Sequence, residues 1–215
     1  MSWYDTFSRF YDSSLEPLYR EQRKIAAEAL CLAPGQLVVD LPCGTGLSFD
    51  TLAPPLGPEG ALLGVDLSSG MLAKAKARAE AKGWSWVRLL ERDVHRLDAA
   101  AVAEALADPS SDRGGARPVD RLHVCLGLTA FPEWEAAFDH LWALLAPGGR
   151  MAIVDVHAAR PDFQGKMVNL VARADIRRRV WEPLERVGKD YEYRELPSSK
   201  QHGGQLFLAV ADKPA

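Results

Sequence analysis

Leu37-Val38-Val39-Asp40-Leu41-Pro42-Cys43-Gly44-Thr45-Gly46 decides the reading of this 215-residue chain. An apolar strand pattern meets a carboxylate. A tight turn with two glycines follows, and Leu47-Ser48-Phe49 opens a helical pattern. Such a turn belongs to nucleotide-type cofactor sites, where glycine lets the backbone approach the ligand closely. No glycine stands three positions after Gly46, and Pro42 occupies the place of the first glycine of a dinucleotide turn. A pyrophosphate is poorly served here. A cofactor without phosphate fits better.

Outward from this turn, strand and helix patterns alternate. Strand patterns cover 37–41, 61–65, 86–90, 121–126 and 151–156, and two more cover 191–196 and 205–211. Helical patterns cover 18–31, 45–52, 71–82, 99–107, 134–145 and 165–186. Pro54-Pro55 is expected to stop the second helix, Ser68 or Ser69 to cap the third, and Pro147-Gly148-Gly149 to break the fifth. Residues 108–118 carry turn chemistry. The alternation predicts an α/β, Rossmann-like, seven-stranded mixed sheet with helices on both faces. It is mostly parallel and ends in a C-terminal antiparallel hairpin, because the 198–204 link is too short for a parallel crossover. The length suits a single domain over 1–215: an N-terminal helical lid (1–33), a cofactor-binding core (34–160), and a substrate-side helix with the terminal hairpin (161–215).

Composition narrows the function. Hydrophobic residues at 47% and charged residues at 26% are those of a soluble globular chain. A net charge of −3 provides no basic field and argues against nucleic acid as a partner. Cys31, Cys43 and Cys125 are far apart and lack metal-ligand spacing, so no metal site is expected and the thiols read as reduced. No signal or membrane-spanning pattern is present, which predicts a cytoplasmic protein, with peripheral contact at the inner membrane face left open. The apolar Cys125-Leu126-Gly127-Leu128 after strand four disfavours a nucleic-acid base as substrate.

The carboxylates carry the sharper argument. Asp66 lies twenty positions beyond Gly46 (66 − 46), at the end of the second strand, where a carboxylate accepts from ribose hydroxyls. Asp93 and Val94, after the third strand, suit an adenine edge and ring. Asp40, beside the turn, suits a positive group. A phosphate-free, nucleoside-like, partly cationic cofactor meets all three conditions, and S-adenosylmethionine is such a molecule.

On these residues the chain resembles the class I S-adenosylmethionine-dependent methyltransferases. The matching runs are VVDLPCGTG (38–46), LLGVDLSSGMLAKAKARAE (62–80), ERDV (91–94), VDRLHVCLG (119–127) and LLAPGGRMAIVD (144–155). The opening YDTFSRFYD (4–12) is similar to quinone-biosynthesis C-methyltransferases and to bacterial phosphatidylethanolamine and other lipid-headgroup N-methyltransferases. The resemblance implies that Asp40, Pro42, Gly44, Thr45 and Gly46 surround the methionine part. It implies Asp66, Leu67 and Met71 at the ribose and adenine, Asp93 and Val94 at the adenine edge, and Leu126 at the crevice floor.

His157, just after strand five, is the first candidate base. Asp155 reads either as a strand-end stabiliser or as a holder of a cationic substrate. Tyr4 and Tyr11 read as an aromatic lid attractive to cations, with Tyr11 also a catalytic candidate and Phe7 packing. His123 reads as a core histidine and His95 as a loop residue. Arg173, Arg177, Arg178 and Arg179 form a dense basic cluster. At helical spacing Arg173 and Arg177 share a face, and Asp175 and Glu182 stand as partners. With Trp3, Phe7 and Phe10 this cluster also suits a membrane-surface enzyme. The resulting expectation is methyl transfer from S-adenosylmethionine to a small-molecule or lipid-headgroup acceptor, with nitrogen preferred. The alternatives are C-methylation of a quinone-type ring, a non-catalytic S-adenosylmethionine-binding protein, and a nicotinamide-dependent oxidoreductase.

Overall fold

The computed structural model describes residues 17–107 and 117–215. Helix α1 is described over 17–29. It is followed by β1 (Leu37–Asp40), α2 (Phe49–Leu56), β2 (Ala61–Asp66), α3 (Ser69–Ala81) and β3 (Val87–Glu91). Then come α4 (Ala99–Leu106), β4 (Val119–Cys125), α5 (Trp134–Leu144) and β5 (Leu145–His157). The chain ends with α6 (Phe163–Ala172), α7 (Glu182–Val187), β6 (Lys189–Glu195) and β7 (Gln205–Asp212). The described strands form one seven-stranded sheet of order β3-β2-β1-β4-β5-β7-β6. β1 to β5 are parallel, while β7 runs antiparallel to both β5 and β6. Strand order reverses between β1 and β4, so a crevice opens beyond their carboxyl ends.

The central strands are apolar on both sides because helices cover both faces. On one face Val38, Leu62 and Val154 pack with α1, α2 and α3 residues such as Ala26, Phe49 and Ala75. On the other, Val39, Leu63 and Ile153 pack with α4, α5 and α7 residues such as Val102, Phe138 and Leu184. Each fully buried Leu or Phe contributes roughly 1.5–3 kcal/mol. The end of α1 is tied to the sheet by two arginines. Arg121 Nε donates to Leu30 O at 2.7 Å, and Arg150 Nη1 donates to Ala29 O at 3.2 Å. Cations there also suit the negative end of the helix dipole.

Three local expectations need correction. Pro54 and Pro55 lie inside α2 rather than ending it. Phe49, Leu52, Ala53 and Leu56 follow the helical period and are buried, so packing outweighs the two lost backbone donors, and Gly57 (φ 62°) turns the chain out. Pro147-Gly148-Gly149 does not separate α5 from a short strand. β5 begins at Leu145, where it pairs with Val119 of β4. Its amino-terminal half is clamped to β7 by Arg150, which donates to Asp212 at 2.6 and 3.0 Å. Finally, 165–186 is two helices rather than one. Arg173 takes a left-handed conformation (φ 52°), and Asn169 Oδ1 accepts from Ile176 N at 3.0 Å, turning the chain away from α6. Arg173 and Arg177 therefore do not share a helix face. Arg177 pairs with Asp175 and Arg179 with Glu182.

Candidate active site

The glycine turn is fastened to the carboxyl end of β2. Cys43 N donates to Val65 O at 2.9 Å, and Gly44 N donates to Asp66 Oδ2 at 2.8 Å. Gly44 and Gly46 both take positive φ (54° and 77°). Among the described residues, a Cβ on Gly44 would meet no atom beyond its chain neighbours within 4 Å, so this stretch of backbone faces open space there. At Gly46 a Cβ would come within 2.7 Å of the Phe49 ring, which reserves that position for glycine. Thr45 is buried within the same turn.

Asp66 also accepts from Ser68 N, at 2.9 Å on Oδ1. Backbone donors thus hold both carboxylate oxygens, with the Leu67 N–H contributing as well. Burial pushes the Asp66 carboxyl above its ordinary value, and the Ser68 and Gly44 donors partly counter this. Leu67, next in the chain, is 69% exposed. Met71 is buried, its N–H donating to the Ser68 hydroxyl that caps α3. Asp93 accepts from His95 N at 2.9 Å and caps a single 3-10 turn whose Val94 is buried in the core. His95 Nε2 lies 3.2 Å from Pro132 O and joins this turn to the segment after β4.

Asp40 is fully buried at the end of β1, opposite His123 in the β1–β4 register. His123 Nδ1 lies 2.7 Å from Asp40 Oδ1. Asp40 Oδ2 and His123 Nε2 are buried without a hydrogen-bond partner among the described residues. An orphaned buried carboxyl oxygen calls for an explanation, and a bound cationic group beside the glycine turn provides one.

The β4 end forms the next wall. Leu126 has a left-handed backbone (φ 57°) and donates to Val154 O at 2.8 Å. Gly127 lies so close to Pro42 that a Cβ there would overlap the proline Cδ. Asp155 then locks the following turn. Its oxygens accept from Thr129 Oγ1 (2.7 Å), Thr129 N (3.1 Å) and Val156 N (2.9 Å). Burial nevertheless raises its carboxyl to about 6. From the far side, Arg178 donates to Thr129 O at 3.0 Å and to Phe131 O at 2.8 Å. His157, at the end of β5, rests edge-on against Trp181, ring centres 4.9 Å apart.

The described residues therefore gather Asp40, the 42–46 turn, Asp66 and the Gly127 segment by direct contact, with the Asp93 turn joined to the post-β4 segment. Tyr4 and Tyr11, together with Trp3, Phe7 and Phe10, lie outside the described residues. Asp155 does not meet a substrate with a free carboxyl face, because Thr129 and Val156 already use its oxygens. Sequence reasoning missed the roles of Pro42 against Gly127, of Thr129 and of Arg178. The one advance signal was the dense arginine run itself.

A methyltransferase-domain profile matches residues 39–151, more than half of the chain. The chain belongs to that family. Its fold is that of class I S-adenosylmethionine-dependent methyltransferases, and S-adenosylmethionine is the cofactor that membership implies. The orphaned Asp40 oxygen and the open cradle at Gly44 fit that group. This methyltransferase is 32% identical, over 152 residues, to a demethylmenaquinone methyltransferase of Thermus thermophilus. The match covers 71% of the chain and 60% of that relative, so it spans less than two thirds of the relative's length. Among solved structures it is similar to the N-methyltransferase NodS of Bradyrhizobium japonicum. The TM-score is 0.68 at 17% identity, covering 95% of this chain and 99% of that one. A SAM-dependent methyltransferase from Aquifex aeolicus gives 0.62 at 19%, with 97% of both chains covered. At these identities the two structures speak for the fold alone.

Proposed function

We propose that the chain transfers a methyl group from S-adenosylmethionine to a ring carbon of a small quinone-type acceptor. The observation that carries methyl transfer is the Asp66–Gly44 bond at 2.8 Å, which sets a ribose-accepting carboxylate against an open glycine turn. The cofactor, when bound, supplies an activated methyl on a sulfonium. The chain supplies alignment and a dry wall, and proximity of this kind is worth roughly 7–11 kcal/mol. Asp66 would hold the ribose hydroxyls. Asp40 Oδ2 would hold the cationic amino group, with His123 fixing the carboxyl plane. The 127–131 segment, pinned by Asp155 and Arg178, shapes the acceptor side, and His157 accepts the proton that the ring must lose.

The acceptor assignment departs from the nitrogen preference read in the sequence. Asp155, read as one possible holder of a cationic substrate, has its oxygens engaged by Thr129 and Val156 donors. The similarity to a demethylmenaquinone methyltransferase supports a quinone ring instead. Incubation with methyl-labelled cofactor and a reduced demethylated naphthoquinone should place label on ring carbon, read by mass spectrometry. Label appearing only on amine or lipid-headgroup acceptors overturns the ring assignment but leaves methyl transfer standing.

The cofactor half is tested separately. Asp66→Ala should weaken S-adenosylhomocysteine binding by roughly 1.5–3 kcal/mol, the size of charge-assisted hydrogen bonds lost. Calorimetry showing unchanged affinity in a folded variant would refute the ribose assignment.

A further inference from the structure

Three large apolar side chains of α6 stand exposed together. Phe163 is 77% exposed, Met167 39% and Leu170 72%. Their spacing of i, i+4 and i+7 places them on one face of the helix. The helix cannot roll to hide them, because its other side is already engaged. Gly165 is buried against Gly203, where a Cβ would come within 2.6 Å of the Gly203 carbonyl oxygen. Asp162 caps the helix start by accepting from Gly165 N at 2.8 Å, and Asn169 Oδ1 accepts from Ile176 N at 3.0 Å. An apolar stripe of this kind marks an interaction surface.

Charge says which one. The stretch 160–182 holds Arg160, Lys166, Arg173, Arg177, Arg178 and Arg179 against Asp162, Asp175 and Glu182, a balance of +3 (6 − 3), in a chain whose net charge is −3. Arg160, Lys166 and Arg173 are exposed. Lys166 lies three residues after Phe163 and four before Leu170, beside the stripe. Apolar side chains on one face with cations alongside are the composition of a helix that lies in an anionic bilayer surface. No described helix is long and apolar enough to cross a membrane, so the contact is with the surface.

We propose that the Phe163–Met167–Leu170 face of α6 docks the protein on an anionic lipid bilayer. The helix follows the carboxyl end of β5 after five residues, at the same end of the sheet as the crevice. The docking rests on α6 itself and not on the acceptor assignment.

The test is co-sedimentation of the full chain with phosphatidylcholine vesicles, with and without phosphatidylglycerol. Wild type should pellet with the anionic vesicles and be released by salt. The F163S/L170S double variant should lose roughly tenfold or more in vesicle affinity. K166E should lose roughly fivefold or more on anionic vesicles only. Both variants should keep the melting temperature and S-adenosylhomocysteine affinity of the wild type. Failure of the wild type to pellet, or equal pelleting by F163S/L170S, overturns the proposal. So does a lowered melting temperature in F163S/L170S, which would show the stripe covered by the protein's own chain. A wild-type dimer that this variant dissociates would assign the face to a second copy instead.

Discussion

Gly127→Ala should destabilise the protein by about 3 kcal/mol or more, at the upper end of what overpacking costs. The new methyl would overlap Pro42 Cδ and sit 3.1 Å from both Pro42 Cγ and Phe131 Cζ. A flexible side chain gives way cheaply, but a proline ring is held by its own backbone. Gly127 O also accepts from Ala130 N and Phe131 N at 2.9 and 3.0 Å, so a displaced Gly127 carries the whole post-β4 turn with it. Cofactor affinity should fall as well, since the same contact positions the 42–46 turn. Urea unfolding of Gly127→Ala, Pro42→Ala and the double variant checks the mechanism. Removing the ring makes room for the methyl, so the double variant should lose clearly less stability than the two single losses combined. Strict additivity would show that the two positions do not press on one another.

Asp155 should make stability fall with pH in a range where most carboxylates have finished titrating. Its carboxyl is raised by burial to about 6, well above the unfolded value. Between about pH 4 and 6 the folded state holds a proton that the unfolded state has released, so the unfolding free energy declines as pH rises. The contribution is fully present below about pH 4 and is lost as pH passes through about 6, a change of roughly 3 kcal/mol at 1.36 kcal/mol per unit. The stability difference between wild type and Asp155→Asn, measured by urea unfolding from pH 4 to 8, isolates this group. It should drop by about that amount and then level off. A difference that stays flat, or grows with pH, would mean that the Thr129 and Val156 donors outweigh burial.

The sheet was legible because its signals are local. Each parallel strand is a short apolar run closed by turn residues, and the carboxylates Asp40 and Asp66 end their strands where the reading placed them. The Asp66 spacing from Gly46 is a distance along one βαβ unit, which a sequence displays directly. Asp40 with His123, Pro42 with Gly127 and Thr129 with Asp155 are a different matter. Each joins separate strands or the loops after them, and no periodicity announces which residue of β4 will face which residue of β1. The local errors have the same origin. Pro54 and Pro55 are helix breakers by propensity, yet Leu52 and Leu56 bury on either side of them. The 165–186 stretch reads as one amphipathic helix until Asn169 satisfies Ile176 N and Arg173 reverses the chain, and both are decided by contacts with the rest of the fold.

β6 ends the sheet on an outer rail of Lys189, Asp190, Glu192, Arg194 and Glu195, and its pairing with β7 slips between Lys189 and Glu192, where Asp190 adopts φ 52°. An incoming eighth strand would have to follow that kink and lie along a row of fixed charges. Growth of the molecule by ribbon addition is thereby discouraged at its β6 margin.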